Sequence, residues 1–383
     1  MKFQFIDIVN IMLLFQLLVF IFFLMRRKSN RATRFLEQPN RLLSVFLLVQ
    51  VFLIFNFECF QFKEYLIKSS THVFYIGVPF LFLAAPVFYF YVRSLAFSDF
   101  RFHTGDILHA LPFMAVVIIF AWQFYFLSSG TKIFLLTEGE AFSDGFWIAF
   151  NLFFMTQFSV YFLADLRILR YYREEIKQQY SSVHNINLSW LTFVLYGFIV
   201  AWLSSVGVSI AHSYFLLAYK QITIINYLIF FGFFNYIFYK GLSQPEIFSG
   251  VVEKPRYETS RLTSSEGKLN LVKLETLMQE DKPYLNPTLT LKELAAQLSL
   301  SPRYLSQIIN QHTHQNFYDF VNRYRIEEAK NLLSKKSSAM NIMEILYEVG
   351  FNSKSSFNTA FKEVTGVTPS HFKKHLSNHQ SNS

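Results

Sequence analysis

Residues 290–311 read TLKELAAQLSLSPRYLSQIINQ, and their punctuation decides how the C-terminal part of the chain folds. Thr290 followed by Glu293 is a capping box: the hydroxyl takes the third amide of the helix while the carboxylate reaches back to the first. This predicts a helix to about Leu298, with Ala295 leaving room for a second helix to cross closely. Ser299-Leu300 is a short turn with one apolar side chain turned inward. Ser301 then caps a second helix, and Pro302 takes the first helical position, where a missing N–H costs nothing. In that second helix Leu305, Ile308 and Ile309 fall on an inner face, and Arg303, Ser306, Gln307 and Asn310 fall on an outer one.

Downstream the same grammar is repeated. Asn316 and Asp319 open a longer helix with an apolar stripe of Phe317, Phe320, Val321, Tyr324, Ala329, Leu332 and Leu333, ending near Lys335. Twenty residues make it about 30 Å long. Asn341 and Glu344 then cap a further helix, which Gly350 ends in the left-handed conformation. Asn352-Ser353 opens the next, with Lys354, Ser355, Asn358 and Thr359 outward and Phe357, Ala360 and Phe361 inward. Gly366 closes it, and Thr368-Pro369 starts a last short helix carrying Lys373 and Lys374. Helix, tight turn and polar-faced helix is the helix-turn-helix pattern, here twice. Joined by such a helix, two outward faces can lie about 34 Å apart, one turn of B-DNA, and so meet two successive major grooves.

TLKELAAQLSLSPRYLSQIINQ, then NFYDFVNRYRIEEAKNLL, then EVGFNSKSSFNTAFKEVTGVTPSHFKK, resembles throughout the AraC/XylS-type DNA-binding domain. The likeness covers about ninety residues, bounded here as 287–378, with a disordered tail expected over 379–383. It implies that Arg303, Ser306, Gln307 and Asn310 read bases in one groove and Lys354, Ser355, Asn358 and Thr359 in the next. Arg suits guanine and Gln suits adenine by bidentate bonding. Phosphate contacts are expected at Ser301, Ser353, Lys362, Lys373 and Lys374. The family also implies duplex DNA and RNA polymerase as partners. Met343 and Leu346 depart from it, standing where small residues are usual; that bulk is expected to spread the second unit and to weaken its part in sequence reading.

Upstream, residues 241–286 read as a connection: a linker over 241–268 with Pro245, Gly250, Pro255 and Gly267, then an amphipathic helix with Leu269, Val272, Leu274, Leu277 and Met278. That helix can dock on the following domain or pair with a second copy as a homodimer, and docking is the reading adopted.

The remainder is of another class. Hydrophobic residues make up 52% of the 383 positions, 48 of them Phe, and charged residues only 16%. Seven apolar stretches, roughly 5–25, 42–62, 74–95, 107–127, 146–166, 190–211 and 221–239, reach the ~20 residues needed to span a bilayer as helices. Residues 1–240 are thus read as a seven-helix membrane module and the chain as all-α. The first run is too long for a cleaved signal peptide, and its positive cluster follows rather than precedes it. With the N-terminus outside, inner loops hold Arg26, Arg27, Lys28, Arg31, Arg34, Arg41, Arg101, Arg167, Arg170, Arg173, Lys177 and Lys240, against outer Lys2, Lys63, Lys68, Lys132 and Lys220. The positive-inside rule then puts the C-terminal domain in the cytoplasm. FYFYVRSL and DILHALPF, flanking one inner loop, resemble membrane-bound bacterial members of the same family, which implies the inner membrane. The global +9 is no argument for nucleic acid, because residues 241–383 carry 17 Lys+Arg against 14 Asp+Glu and most of the excess lies in the apolar half.

Polar side chains within spans are costly and so are candidate sites. Glu58, Trp122, Gln123, Asn151 and His212 fall toward the outer half and could line a sensor pocket for a small-molecule or membrane signal; pairing between helices is the plainer alternative. Asp165 and His109 lie near inner span ends, where snorkelling is expected. One cysteine, Cys59, can form no intrachain disulfide, and His312 with His314 lacks further ligands, so no metal or cofactor is expected. No HExxH, phosphate loop or paired carboxylates on facing spans suggest catalysis. The expectation is a non-enzymatic regulator that senses in the membrane and binds DNA, against the alternative of a membrane enzyme or transporter with an appended feedback domain.

Overall fold

The computed structural model describes residues 5–26, 37–183, 186–214, 219–242, 264–334 and 340–381. Sixteen α-helices follow one another among them. They are α1 (Phe5–Arg26), α2 (Glu37–Gln61), α3 (Lys63–Ser69), α4 (Leu81–Ala96), α5 (Leu111–Phe120), α6 (Ser129–Thr137), α7 (Asp144–Gln179), α8 (Ser189–Tyr214) and α9 (Tyr219–Leu242), then α10 (Ser264–Glu280), α11 (Leu291–Gln297), α12 (Pro302–Thr313), α13 (Phe317–Ser334), α14 (Ile342–Glu348), α15 (Lys354–Thr365) and α16 (Pro369–Ser381). An antiparallel bridge pairs Tyr180 with Thr290.

The chain divides into two units. One comprises Met1–Arg170 with Ser189–Glu253; the other comprises Tyr171–Leu188 with Lys254–Ser383. The division falls inside α7, so the loop expected between two spans contributes its residues to the C-terminal unit. The linker expected over 241–268 lies largely outside the described residues. The tail expected to be disordered from 379 instead continues α16 to Ser381.

Among the described residues of the first unit five helical stretches are long and apolar enough to cross a membrane: Asp7–Arg26, Glu37–Gln61, Thr71–Ala96, Thr104–Tyr125 and Asp144–Gln179. The apolar parts of α8 and α9 are shorter over the described residues, Ser189–Ser204 and Ile224–Lys240. Large apolar side chains such as Phe15, Ile107 and Ile148 stand exposed along these stretches. Packing is largely aromatic: Phe46, Phe88 and Phe198 hold α2, α4 and α8 together with centroids 5.1–5.7 Å apart. Polar bonds also cross between helices, from Gln16 of α1 to Asn235 of α9 and from Asn10 of α1 to Glu58 of α2.

The second unit holds two cores divided by α13. Its first half gives Phe317, Phe320 and Val321 to a core with Leu294, Leu305 and Ile309. Its second half gives Ile326, Ala329 and Leu333 to a core with Ile345, Phe357 and Phe361. With 18 residues, α13 spans about 27 Å. Helix α10 buries Leu274 and Met278 in the first core, so the amphipathic helix docks.

Candidate nucleic-acid interface

Each unit of the pair is set by its caps. In the first, Thr290 Oγ accepts from the Glu293 amide at 3.2 Å while Glu293 returns a carboxylate oxygen to the Thr290 amide at 2.9 Å. In the second, Asn341 Oδ1 accepts from the Glu344 amide at 2.9 Å and Glu344 accepts from the Asn341 amide at 2.7 Å. These bonds satisfy amides that a helix start would otherwise leave open. The turns also correspond. Leu300 donates to the Ala295 carbonyl at 2.9 Å, and Phe351 to that of Leu346 at 3.0 Å. A left-handed residue makes each turn possible, Ser299 at φ 56° and Gly350 at φ 88°. Ser301 and Ser353 then accept from amides of Tyr304 and Ser356, both at 3.2 Å. A capping hydroxyl uses a lone pair and keeps its proton, which Ser301 can give to a phosphate oxygen, whereas Ser353 donates its own to Ser356 Oγ at 2.9 Å.

The polar faces come out as the sequence suggests. On α12 Arg303 is exposed and Ser306 and Gln307 are half-buried. On α15 Lys354, Ser355 and Thr359 are exposed and Asn358 is half-buried. Lys362 and Lys374 are exposed, and Lys373 donates to the Met340 carbonyl at 3.2 Å, just ahead of α14. The bulk expected to spread the second unit is absorbed elsewhere: Leu346 is fully buried in the second core, Met343 is 39% exposed, and the turn bonds match those of the first unit.

Asn310 is half-buried on α12. Its Nδ2 donates to Gln178 Oε1 at 3.1 Å and to the Ser306 carbonyl at 2.9 Å, so it is engaged within the protein. Gln178 belongs to a strap, residues 171–188, that the sequence does not announce. Ser181 donates its amide to the Leu289 carbonyl at 3.1 Å, beside the Tyr180–Thr290 bridge. Arg325 of α13, 1% exposed, seals the strap in place. Its guanidinium donates to the Ser181 carbonyl at 3.0 Å and Oγ at 3.1 Å, to the Tyr284 carbonyl at 2.7 Å and to that of Asn286 at 2.8 Å. It also stands 5.5 Å from the Phe351 ring, in the second unit's turn. Burial pushes its pKa down to about 10. One signal could have found it: Arg325 stands four residues from both Val321 and Ala329, on the buried stripe of α13.

The four sensor candidates with described side chains are not brought together. No hydrogen bond joins any two of them among the described residues. Glu58 is buried and bonded to Asn10, the plainer helix-pairing alternative. Trp122, 76% exposed, and Gln123, exposed, lie on a π-helical turn, Ala121–Tyr125. Asn151 is exposed and donates to the Trp147 carbonyl of its own helix. The His212 side chain lies outside the described residues. Two others depart from snorkelling. Asp165 is buried, and His109 Nδ1 bonds the Tyr161 hydroxyl.

Residues 294–375 match a profile described as a helix-turn-helix domain. An HTH-type transcriptional regulator encoded in the cgkA 5′ region of Pseudoalteromonas carrageenovora is 30% identical over 130 residues, which are 34% of this chain and 75% of that protein. The chain belongs to the AraC-type helix-turn-helix transcriptional regulators. The AraC-type likeness extends to the transcriptional regulatory protein YesN of Bacillus subtilis, 35% identical over 91 residues, 23% of this chain. The chain spans only about a quarter of the length of YesN. Among solved structures, the C-terminal domain of AraT, a response regulator from Geobacillus stearothermophilus, is 32% identical, with a TM-score of 0.25, over 30% of this chain and 88% of that one. The matched residues begin within α11, just after its cap, and run through α15 into α16, so they include Arg325 and leave the apolar unit and the strap outside.

Proposed function

We propose that the chain is a membrane-embedded one-component regulator of transcription that binds duplex DNA sequence-specifically through α12 and α15. The observation that carries this is the doubled turn, each opened by a reciprocal capping box and packed on a shared helix, which presents two polar helix faces from one unit. Arg303, Ser306 and Gln307 read one major groove; Lys354, Ser355, Asn358 and Thr359 read the next. Ser301, Ser353, Lys362, Lys373 and Lys374, with helix N-termini, hold phosphates. Asn310 serves the strap instead. Nothing in this scheme asks the chain for catalysis.

The strap supports the membrane reading by parity. Residues 171–188 bond to α11 and α13, so they share a side of the bilayer with the DNA-binding unit. The chain between them must cross an even number of times, which α8 and α9 together satisfy. Seven crossings with the N-terminus outside then bring the unit to the cytoplasm, in agreement with loop charge. The same strap is the relay, since whatever moves the end of α7 acts on Arg325 and on α12.

The test is selection from randomised duplex by the full chain in lipid nanodiscs. A defined motif should emerge; Arg303→Ala should relax preference at one position and cost about 1–3 kcal/mol there, while Lys373→Ala should weaken all sequences alike. Enrichment no better than the input pool would sink the reading. For the relay, Gln178→Ala combined with Ser181→Ala should shift reporter output from the selected site at least fivefold; output within twofold of wild type would remove it.

A further inference from the structure

The first unit contains a crevice of about 370 Å³ that none of the four described sensor candidates lines. Helices α1, α2, α4, α7, α8 and α9 contribute its walls, which are almost wholly apolar and aromatic. One acidic side chain lines it. Asp165 is 2% exposed, and its Oδ1 is buried without a hydrogen-bond partner. Among the described residues no Lys, Arg or His is in the lining to balance it. Its pocket neighbours Phe158, Tyr161 and Phe162 lie seven, four and three residues earlier on α7, which stacks their rings on the same face as the carboxylate. Trp202 of α8 adds another ring.

A carboxylate stripped of water and left without a partner is costly, and inside a membrane protein such a group is a functional candidate by default. Aromatic faces gathered about an anionic group suit an organic ammonium, attracted by the carboxylate and by the ring quadrupoles alike. A bare metal ion is a poor fit, because hard cations need six or more oxygen ligands and the lining offers Asp165, Gln50 and the Tyr161 phenol, already bonded to His109. A lipid tail would fill the apolar volume and leave Oδ1 as it is. The volume lies in the range of small-molecule sites, about 300–1,000 Å³.

We propose that this crevice binds a small lipophilic amine, its ammonium paired with Asp165 among the rings of α7 and α8. The proposal rests on the membrane reading above and deepens it by naming the class of signal. Asp165 stands on the helix whose far end carries Gln178, the strap residue bonded to α12.

The test uses the full chain in phosphatidylcholine nanodiscs, with 4-phenylbutylamine as probe and 4-phenylbutan-1-ol as its uncharged counterpart, read by equilibrium dialysis against empty nanodiscs. Wild type should bind the amine saturably and at least tenfold more tightly than the alcohol. Asp165→Asn, nearly isosteric, should erase that preference while alcohol binding stays within twofold, and Phe158→Leu should weaken the amine about threefold. Equal binding of the two probes, a preference that survives Asp165→Asn, or uptake matching empty nanodiscs would overturn the proposal. If Asp165→Asn does not fold, the wild-type ratio decides alone. DNA selection on the same preparations separates the two readings: a selected motif without amine preference removes only this site, and amine preference without a motif removes only the regulator.

Discussion

The two helix-turn-helix units are near copies in backbone and unlike in side chains. Both open on a reciprocal cap, both turn through a left-handed residue, and both close the turn with a bond reaching back five residues. Under that common frame Ala295 faces Leu346 in the equivalent place, and Ser299 faces Gly350. Caps and turn chemistry therefore fix the motif, and core volume is adjusted around it. The glycine has its own reason: a Cβ at Gly350 would lie 2.7 Å from the Tyr284 carbonyl, so the second turn packs against the lead-in to the first unit where serine could not stand. The strap adds a second asymmetry, since its hydrogen bond to a recognition helix goes to Asn310 of α12.

Hydrogen exchange on the full chain can break or sharpen this comparison, because it reads the opening of each unit separately. The largest effect is expected for Arg325→Ala. It removes the guanidinium from the carbonyls of Ser181, Tyr284 and Asn286, the last of which keeps the Leu289 amide, and opens a cavity, at a cost of about 4 kcal/mol. Both units should lose protection, and loss confined to one would show that the guanidinium is not shared. Leu346→Ala should cost about 3 kcal/mol in the second unit alone, while Ala295→Leu overpacks the first by about 2 kcal/mol. Equal loss in both units for either change would contradict two separate cores. Gly350→Ala should cost about 2 kcal/mol from a left-handed alanine pressed on a carbonyl. Ser299→Gly, at the equivalent turn, should be neutral or gain up to about 1 kcal/mol by releasing the same strain. Smallest are the caps: Thr290→Ala and Asn341→Ala should each cost about 1 kcal/mol, alike in the two units.

Much of the second unit was legible because its signals are local. Capping boxes, Pro302, Gly350, Gly366 and the stripe of α13 each act within a few residues. What stayed hidden is long-range or hinges on where a helix ends. Arg325 interrupts an apolar stripe, and its partners lie up to 144 residues away. The strap carries no periodicity to advertise docking. Asp165 was expected to snorkel from a helix end, yet α7 runs on to Gln179, so the residue stands inside the helix and is buried. In the apolar unit composition announces helices all round, but nearly uniform apolarity hides which face lines a crevice. Polarity alone singles out the sensor candidates, and polarity does not make Trp122, Gln123 and Asn151 converge.

The central claim, that both units of one chain read DNA, meets its most direct test in methylation protection on the selected duplex with the full chain in nanodiscs. The account predicts two protected major-groove tracts on one face of the duplex, centred about 34 Å apart, one helical turn. Lys354→Ala with Asn358→Ala should erase one tract and leave the other. A single tract in the wild type, or the loss of both in that variant, would contradict it.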